Sequence, residues 1–355
     1  MSEVEAQVFD SDAVVLLAET GLHLMIICAI LAQLRTKTQK IILWFGDEAP
    51  PKFCLDWSVY GCRLFHLPNY SRYSFFDLGQ LANQARLTLS EFVGLKCSIV
   101  TYYDTSYSFE ITRHILNVPW SRIALLDDGQ VNYLPKIGMP DYKRRWLKNL
   151  FNRINGRFPI NTSKYNLGGN RKIRLAYAVS PIFYYRGANN ISIIDISSEL
   201  RAFLSKQKDV LSKLESDLKC IVSLSPIYSY GRVSKDELFE YLRLVEEVSD
   251  SGLIGIKIHP RDLRTQLAAD LKDWSGSQLV ILPNLPTELF FEVFQDINWF
   301  GPPSTSMLYR HFLYPDRADR FHVSQFGTAT QFAEKQMAIF RKIMGEKFVS
   351  VGANV

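Results

Sequence analysis

Asp127-Asp128-Gly129 carries the densest chemistry in the chain: two adjacent carboxylates and a glycine directly after the apolar run Ile123–Leu126. A short apolar run bounded by a turn signal suits an interior strand of a parallel sheet, and such sheets bind ligands at the carboxyl ends of their strands. Neighbouring carboxylates disfavour each other's ionised form, which suits a general base. Gly129 lets the backbone turn sharply away. The competing reading is a polar turn.

The second half of the chain holds four further groups of this kind. Lys257-Ile258-His259-Pro260 ends an apolar run, and Pro260 pushes His259 toward an extended backbone. Its imidazole can hydrogen-bond a phosphate or protonate a leaving group. Thr287-Glu288 opens a helical stretch, where a carboxylate can accept from ribose hydroxyls or a base. Ser304-Thr305-Ser306 follows Gly301-Pro302-Pro303 and places hydroxyls and backbone N–H groups at a helix start, which suits an anion. Ser223–Tyr230, with Ser225-Pro226, is a loop at another strand end. Each has a plainer reading: a structural His-Pro, a carboxylate on a helix dipole, a Ser304 N-cap. Together they outline a nucleotide-phosphate pocket at one sheet edge.

These groups need strands to hold them. Ala13–Ala18, Ile41–Phe45, Arg63–Leu67, Cys97–Tyr102 and Ile123–Leu126 read as strands of a first unit, with helices at Leu22–Leu34, Phe75–Phe92 and Ser108–Leu116. The opening strand, turn and helix is the start of a doubly wound α/β fold. Residues 141–174 break the pattern with ten Lys and Arg among aromatics; a lid, a membrane-facing surface, a linker and a solvated face all fit. Strands follow at Ile191–Ile196, Cys220–Leu224, Leu253–Ile258, Leu279–Leu282 and Ile297–Phe300. His311–Tyr314 and His322–Ser324 read as short elements. Helices are expected around Glu199–Leu218, at Ser234–Val248 with a Ser234/Glu237 capping box, from Thr287 to about Phe294, and at Ala329–Met344. The expectation is two Rossmann-like domains, residues 1–185 and 186–355, facing each other across a cleft, with the last helix a candidate to pack back on the first.

With 355 residues, 47% of them hydrophobic, the chain can fill two cores. The formal charge of +5 gives little support for nucleic acid and fits an anionic ligand or an anionic membrane surface. Five cysteines without a CxxC spacing read as reduced thiols, not disulfides or zinc ligands. The acidic N-terminus MSEVEAQVFDSD is unlike a secretory leader, and Glu19, Thr20 and His23 break Val14–Leu34 too often for a membrane span. A cytoplasmic protein follows, with peripheral contact to the inner membrane as an option.

In their order and positions, Asp127-Asp128-Gly129, His259-Pro260 and Ser304-Thr305 resemble the motifs of bacterial sialyltransferases and polysialyltransferases of the GT-B type. Lys257 two residues before the histidine, and Gly21-Leu22-His23 on the acceptor side, are similar to that family as well. The resemblance spans most of the chain and implies an inverting, metal-independent transferase with no cofactor. It would move sialic acid or a related nonulosonate from a CMP donor to a hydroxyl of lipooligosaccharide, O-antigen or capsule. It makes Asp127 the base, with Asp128 and Gly129 beside it. His259 and Pro260 bind the phosphate and assist departure of CMP, and Ser304 and Thr305 hold the same phosphate. Lys257 and Ser225 are donor-side; Glu288, or Glu292 in competition, binds the cytidine. Thr20-Gly21 departs from the family's Thr-Pro, which leaves the role of that loop open. The partners implied are a CMP-sugar and a glycan or glycolipid, not nucleic acid. CMP-Kdo or UDP-hexose transfer, and a non-catalytic nucleotide- or glycan-binding protein, are the alternatives.

Overall fold

A computed structural model describes residues 10–34, 38–45, 60–67, 97–102, 122–129, 173–184, 191–208, 218–224, 233–249, 253–263, 265–326 and 330–351, with positions 50, 133, 228 and 231. The expected helices at Phe75–Phe92 and Ser108–Leu116, Ser225, and all but the last two residues of 141–174 lie outside them.

The chain forms two compact units, Met1–Phe203 and Leu204–Val355. The first is built on seven parallel strands: β1 (Ala13–Ala18), β2 (Gln39–Phe45), β3 (Cys62–Leu67), β4 (Cys97–Thr101), β5 (Arg122–Leu125), β6 (Ile173–Ala178) and β7 (Ser192–Asp195), in the order β3-β2-β1-β4-β5-β6-β7. The second holds β8 (Cys220–Ser223), β9 (Leu253–Lys257), β10 (Gln278–Ile281), β11 (Asn298–Gly301), β12 (Arg320–Val323) and β13 (Phe348–Ser350), also parallel, in the order β10-β9-β8-β11-β12-β13. Counted within each sheet, the first six strands of both follow 3-2-1-4-5-6. That is the order of a Rossmann-like domain, with its switch point between the first and fourth strands. The switch points are therefore β1/β4 and β8/β11.

The strands are apolar because both faces are covered. All six residues of β1 are buried, as are five of the seven of β2. Helix α1 (Gly21–Gln33) is apolar nearly all round and buried from His23 to Leu31, as a core helix must be. It starts at Gly21 because Thr20 is the N-cap, its hydroxyl accepting from the His23 amide at 3.2 Å. In the second unit, α3 (Lys235–Ser249) has the expected capping box. The Glu237 amide donates to Ser234 Oγ, and the Ser234 amide donates back to the Glu237 carboxylate at 2.7 Å.

Several expectations are corrected. β6 was missed: Arg174 is its exposed position, and the basic residues before it obscured the apolar run. β13 was also missed. The boundary expected after residue 185 falls before β7, which is the outer strand of the first sheet; the units divide inside α2 (Ser197–Lys206). Thr287–Glu292 is a 3₁₀ helix, and His311 lies within α4 (Thr305–Leu313) rather than in a separate element. The final helix is α5 (Thr330–Met344).

Candidate functional site

At the carboxyl edge of the first sheet, the two adjacent acids part company. Asp127 is fully buried, and three donors converge on its carboxylate. The Gly129 amide reaches Oδ1 at 2.9 Å; the Val179 amide, at 2.9 Å, and the Tyr133 hydroxyl reach Oδ2. Gly129 makes its return bond from a left-handed φ of 71°, which a glycine adopts without strain. The Ser180 amide donates to the Tyr133 hydroxyl at 3.2 Å. Burial, then the charge of Asp127, pushes the Tyr133 phenol well up, so it remains a donor. Asp127 thus fastens the end of β5 to the end of β6.

The Asp128 side chain is one-quarter exposed, and its Oδ1 lies 2.8 Å from Nε2 of buried His23 on α1. The Glu19 amide, at the end of β1, donates to Nδ1 of the same ring at 3.1 Å. The ring stacks on Tyr102 just past β4, centroids 4.1 Å apart and planes 14° from parallel. The Tyr102 hydroxyl donates to Glu19 Oε2 at 3.2 Å. Burial, then the charges of Glu19 and Asp128, hold the Tyr102 phenol well up. The ends of β1, β4 and β5 so bring together two carboxylates, an imidazole and a phenol at the switch point. Gly21, expected on the acceptor side, is the first residue of α1.

The second sheet's edge has a different character. Lys257 ends β9, is 5% exposed, and donates one hydrogen bond, to the Ile258 carbonyl at 3.2 Å. Burial pushes its ammonium down to about 8, with Glu288 pulling the other way. His259 has the extended backbone expected before proline, and Pro260 opens a 3₁₀ turn that the imidazole caps, Nδ1 accepting from the Arg261 amide at 3.2 Å. Burial and Arg261 push the ring down to about 4. It is neutral at pH 7, and with Nδ1 accepting, its proton sits on Nε2. The expected proton donor is therefore, without ligand, a neutral hydrogen-bond donor.

Glu288 is buried on the 3₁₀ helix, accepts from the Ser306 hydroxyl at 2.9 Å, and is raised by burial. Glu292 is held elsewhere, by the Tyr314 hydroxyl at 2.5 Å, the Ser205 hydroxyl at 3.1 Å and Arg317 at 3.5 Å. Of the two glutamates, Glu288 shares the neighbourhood of Lys257. Ser304 is the N-cap of α4, its hydroxyl accepting from the Met307 amide at 3.4 Å, and Thr305 is the first helical residue. The loop before them leaves the sheet at Gly301, where an added Cβ would lie 2.3 Å from the Ser223 carbonyl oxygen at the β8/β11 switch point. Among the described residues, no group of three or more His, Cys, Asp or Glu side chains is placed to hold a metal.

No protein-family model matches the chain, and no curated protein matches it. Solved structures do. The S. aureus MnaA–UDP structure is 8% identical with a TM-score of 0.53, covering 88% of this chain and 79% of that one. This is the GT-B fold. UDP-GlcNAc 2-epimerase from Neisseria meningitidis bound to UDP-GlcNAc is also similar, at 8% identity and a TM-score of 0.47, covering 91% of this chain and 85% of that one. So is an Arabidopsis thaliana protein complexed with UDP-L-rhamnose, at 10% identity and 0.44, over 94% and 83%.

In this GT-B chain the residues that aim the second edge are ones the sequence did not single out. Arg310 on α4 is fully buried and forks onto Asp319, with Nε to Oδ2 at 2.7 Å and Nη2 to Oδ1 at 2.8 Å. The same guanidinium donates to the carbonyls of Phe291 and Phe294, at the end of the 3₁₀ helix. It locks the element carrying Glu288 to the helix carrying Ser306. Glu19, Tyr102 and Tyr133 were missed at the first edge. The rule that ligands gather at strand carboxyl ends already pointed to Glu19, directly after β1. No helix among the described residues is long and apolar enough to cross a membrane.

Proposed function

We propose that the chain is a nucleotide-sugar-dependent glycosyltransferase that moves a nonulosonate from its CMP donor to a hydroxyl of a surface glycan. What carries the reading is the anion-receptive edge of the second sheet. A buried ammonium with one hydrogen bond among the described residues, a neutral imidazole with its proton on Nε2, and hydroxyls at the head of α4 lie at the ends of β9 and β11, the two strands that flank β8. A sugar-nucleotide phosphate is an anion such groups can hold, and stabilising the departing phosphate is what transfer requires. Glu288 then reads the ribose or base. The motif order supports CMP; the fold serves UDP ligands in its neighbours.

The first edge supplies the base, and Asp128 rather than Asp127 is the group we assign. Asp127 is enclosed by its three donors, whereas Asp128 reaches solvent. In the reaction, Asp128 takes the acceptor hydroxyl proton as that oxygen bonds to the anomeric carbon. The bond from that carbon to the donor phosphate oxygen breaks, and CMP leaves with the electron pair. The configuration inverts from β donor to α glycoside. No step uses a metal, and turnover is expected to survive a chelator. We place the reaction in the cytoplasm, with peripheral membrane contact if the acceptor is a glycolipid.

The test is a thermal-shift and turnover panel with CMP, UDP, GDP, CMP-sialic acid and CMP-Kdo. A nucleotide at 100 times its dissociation constant stabilises by about 2.7 kcal/mol. CMP is expected to shift the melting temperature well beyond UDP and GDP, with CMP-sialic acid hydrolysed slowly without acceptor. Preference for UDP would move the protein to UDP-sugar chemistry, including epimerisation. No response to any nucleotide would end the enzyme reading.

A further inference from the structure

His23 has no role in the chemistry above, yet both of its ring nitrogens have a hydrogen-bond partner. A backbone N–H can only donate. The Glu19 amide 3.1 Å from Nδ1 therefore makes that nitrogen an acceptor and puts the ring's proton on Nε2, 2.8 Å from Asp128. The residue sits in the first turn of α1, and its ring is buried against Tyr102. The charged and titratable groups near the pair, among the described residues, are Glu19 from the β1–α1 turn, Tyr102 past β4, and Asp127 past β5.

We propose that His23 is a positioning residue: an imidazole, its tautomer set by the Glu19 amide, that holds the Asp128 carboxylate in one rotamer toward the acceptor hydroxyl. The usual division of labour between histidine and aspartate is thereby reversed. The carboxylate receives the proton and the imidazole only aims it, because His23 has no nitrogen left to take one. Tyr102 completes the arrangement, stacking on the ring while its hydroxyl holds the Glu19 side chain. This inference rests on Asp128 being the base.

Two measurements test it, and the first fails separately from the transferase reading. The first is the nitrogen NMR of His23 in the ligand-free protein. The expected result, in the neutral ring, is a protonated Nε2 and an unprotonated Nδ1, with the Nε2 resonance moving in Asp128→Asn. A ring protonated on Nδ1, or an Nε2 resonance indifferent to Asp128→Asn, overturns the proposal whatever the protein catalyses. The second is the kinetics of transfer. His23→Ala is expected to lower kcat about 10²-fold, the scale of a misaimed catalytic group, with the donor KM unchanged. His23→Gln keeps an N–H donor and is expected to restore most of the rate. A loss of kcat that glutamine does not rescue, or one shared with the donor KM, would make His23 a packing residue. If His23→Ala does not fold, the glutamine variant and the NMR still decide. Wild-type protein that turns over no CMP-sugar overturns the transferase reading and leaves the tautomer test standing.

Discussion

The two sheets share a strand order and differ in what they place at its carboxyl edge. Around β1/β4 the first collects Glu19, Asp127 and Asp128 and surrounds them with donors: Tyr102 for Glu19, Gly129, Val179 and Tyr133 for Asp127, and His23 for Asp128. Around β8/β11 the second collects Lys257, His259 and hydroxyls, and leaves the ammonium with one bond among the described residues. A buried charge with several donors is stable in place. One with a single partner is costly until something opposite arrives. One edge is thus assembled in advance, and the other is poised for a ligand. The same topology serves both because it fixes where loops converge and leaves their chemistry free.

The largest test of that contrast lies within the first edge. Asp128→Asn keeps the shape and cannot take a proton, so transfer is expected to fall roughly 10²–10⁴-fold with nucleotide affinity unchanged. Asp127→Asn should behave differently. Its new amide would face donors, and an unsatisfied buried group costs about 1–3 kcal/mol. The expected reading is a lower melting temperature and a smaller loss of transfer in the folded fraction. Urea melts beside transfer rates separate the two; the reverse pattern would return the base to Asp127.

How much of this the sequence disclosed follows from what strands conceal. β1, β4, β5, β8, β9 and β11 were readable because a strand covered on both faces must be apolar throughout. Which of two adjacent acids turns inward was not readable. Successive strand residues face opposite ways, but phase at a strand's end depends on where the strand stops. The Glu19–His23–Tyr102–Asp128 cluster was hidden for another reason. Its members lie on α1 and just past β1, β4 and β5, three strands whose adjacency is set by order in the sheet, not in the chain. Lys257, His259, Glu288 and Ser304 were named in advance because each sits directly after an apolar run or at a helix start. Arg310 was not, because an arginine within a helical pattern reads as solvent-facing.

Next in size is the clamp behind the second edge. Arg310→Met leaves Asp319 buried and unopposed, and breaking such a pair costs about 3–5 kcal/mol. The melting temperature should fall steeply. Arg310→Met with Asp319→Leu should recover much of it, since both charges are then gone. If the double variant is as unstable as the single, the Phe291 and Phe294 carbonyls matter more than the ion pair.

Lys257→Met should do the opposite. The ammonium is depressed from 10.5 to about 8, and at 1.36 kcal/mol per unit that is a folded-state penalty of about 3 kcal/mol at neutral pH. The sign follows from proton counting. Between pH 8 and 10.5 the unfolded chain holds the proton that the folded chain has lost, so this group's penalty is full below 8 and fades above it. Removing the charge is expected to raise the melting temperature of the ligand-free protein and to weaken nucleotide binding. A variant less stable and equally tight would show that Lys257 is a core group, not part of a poised edge.

The smallest effect separates the two edges without unfolding either. A phosphate beside Lys257 raises its proton affinity, so nucleotide binding above about pH 8 takes up a proton, and affinity should fall by up to about tenfold per pH unit. Below pH 8 Lys257 adds no slope. His259, at about 4 when free, is neutral until the medium is distinctly acid. A phosphate accepting from its Nε2 raises it, so affinity should climb as pH falls toward 4. The ligand should be a non-hydrolysable CMP-sugar analogue, because free CMP has its own second ionisation near pH 6, which adds an unrelated slope. Titration calorimetry across pH should lose the alkaline limb in Lys257→Met and the acid limb in His259→Asn, and keep both in Asp128→Asn. An alkaline limb that survives Lys257→Met means the phosphate is held elsewhere. A limb displaced by Asp128→Asn means the donor is read at the first edge, and the division between an assembled edge and a poised one fails.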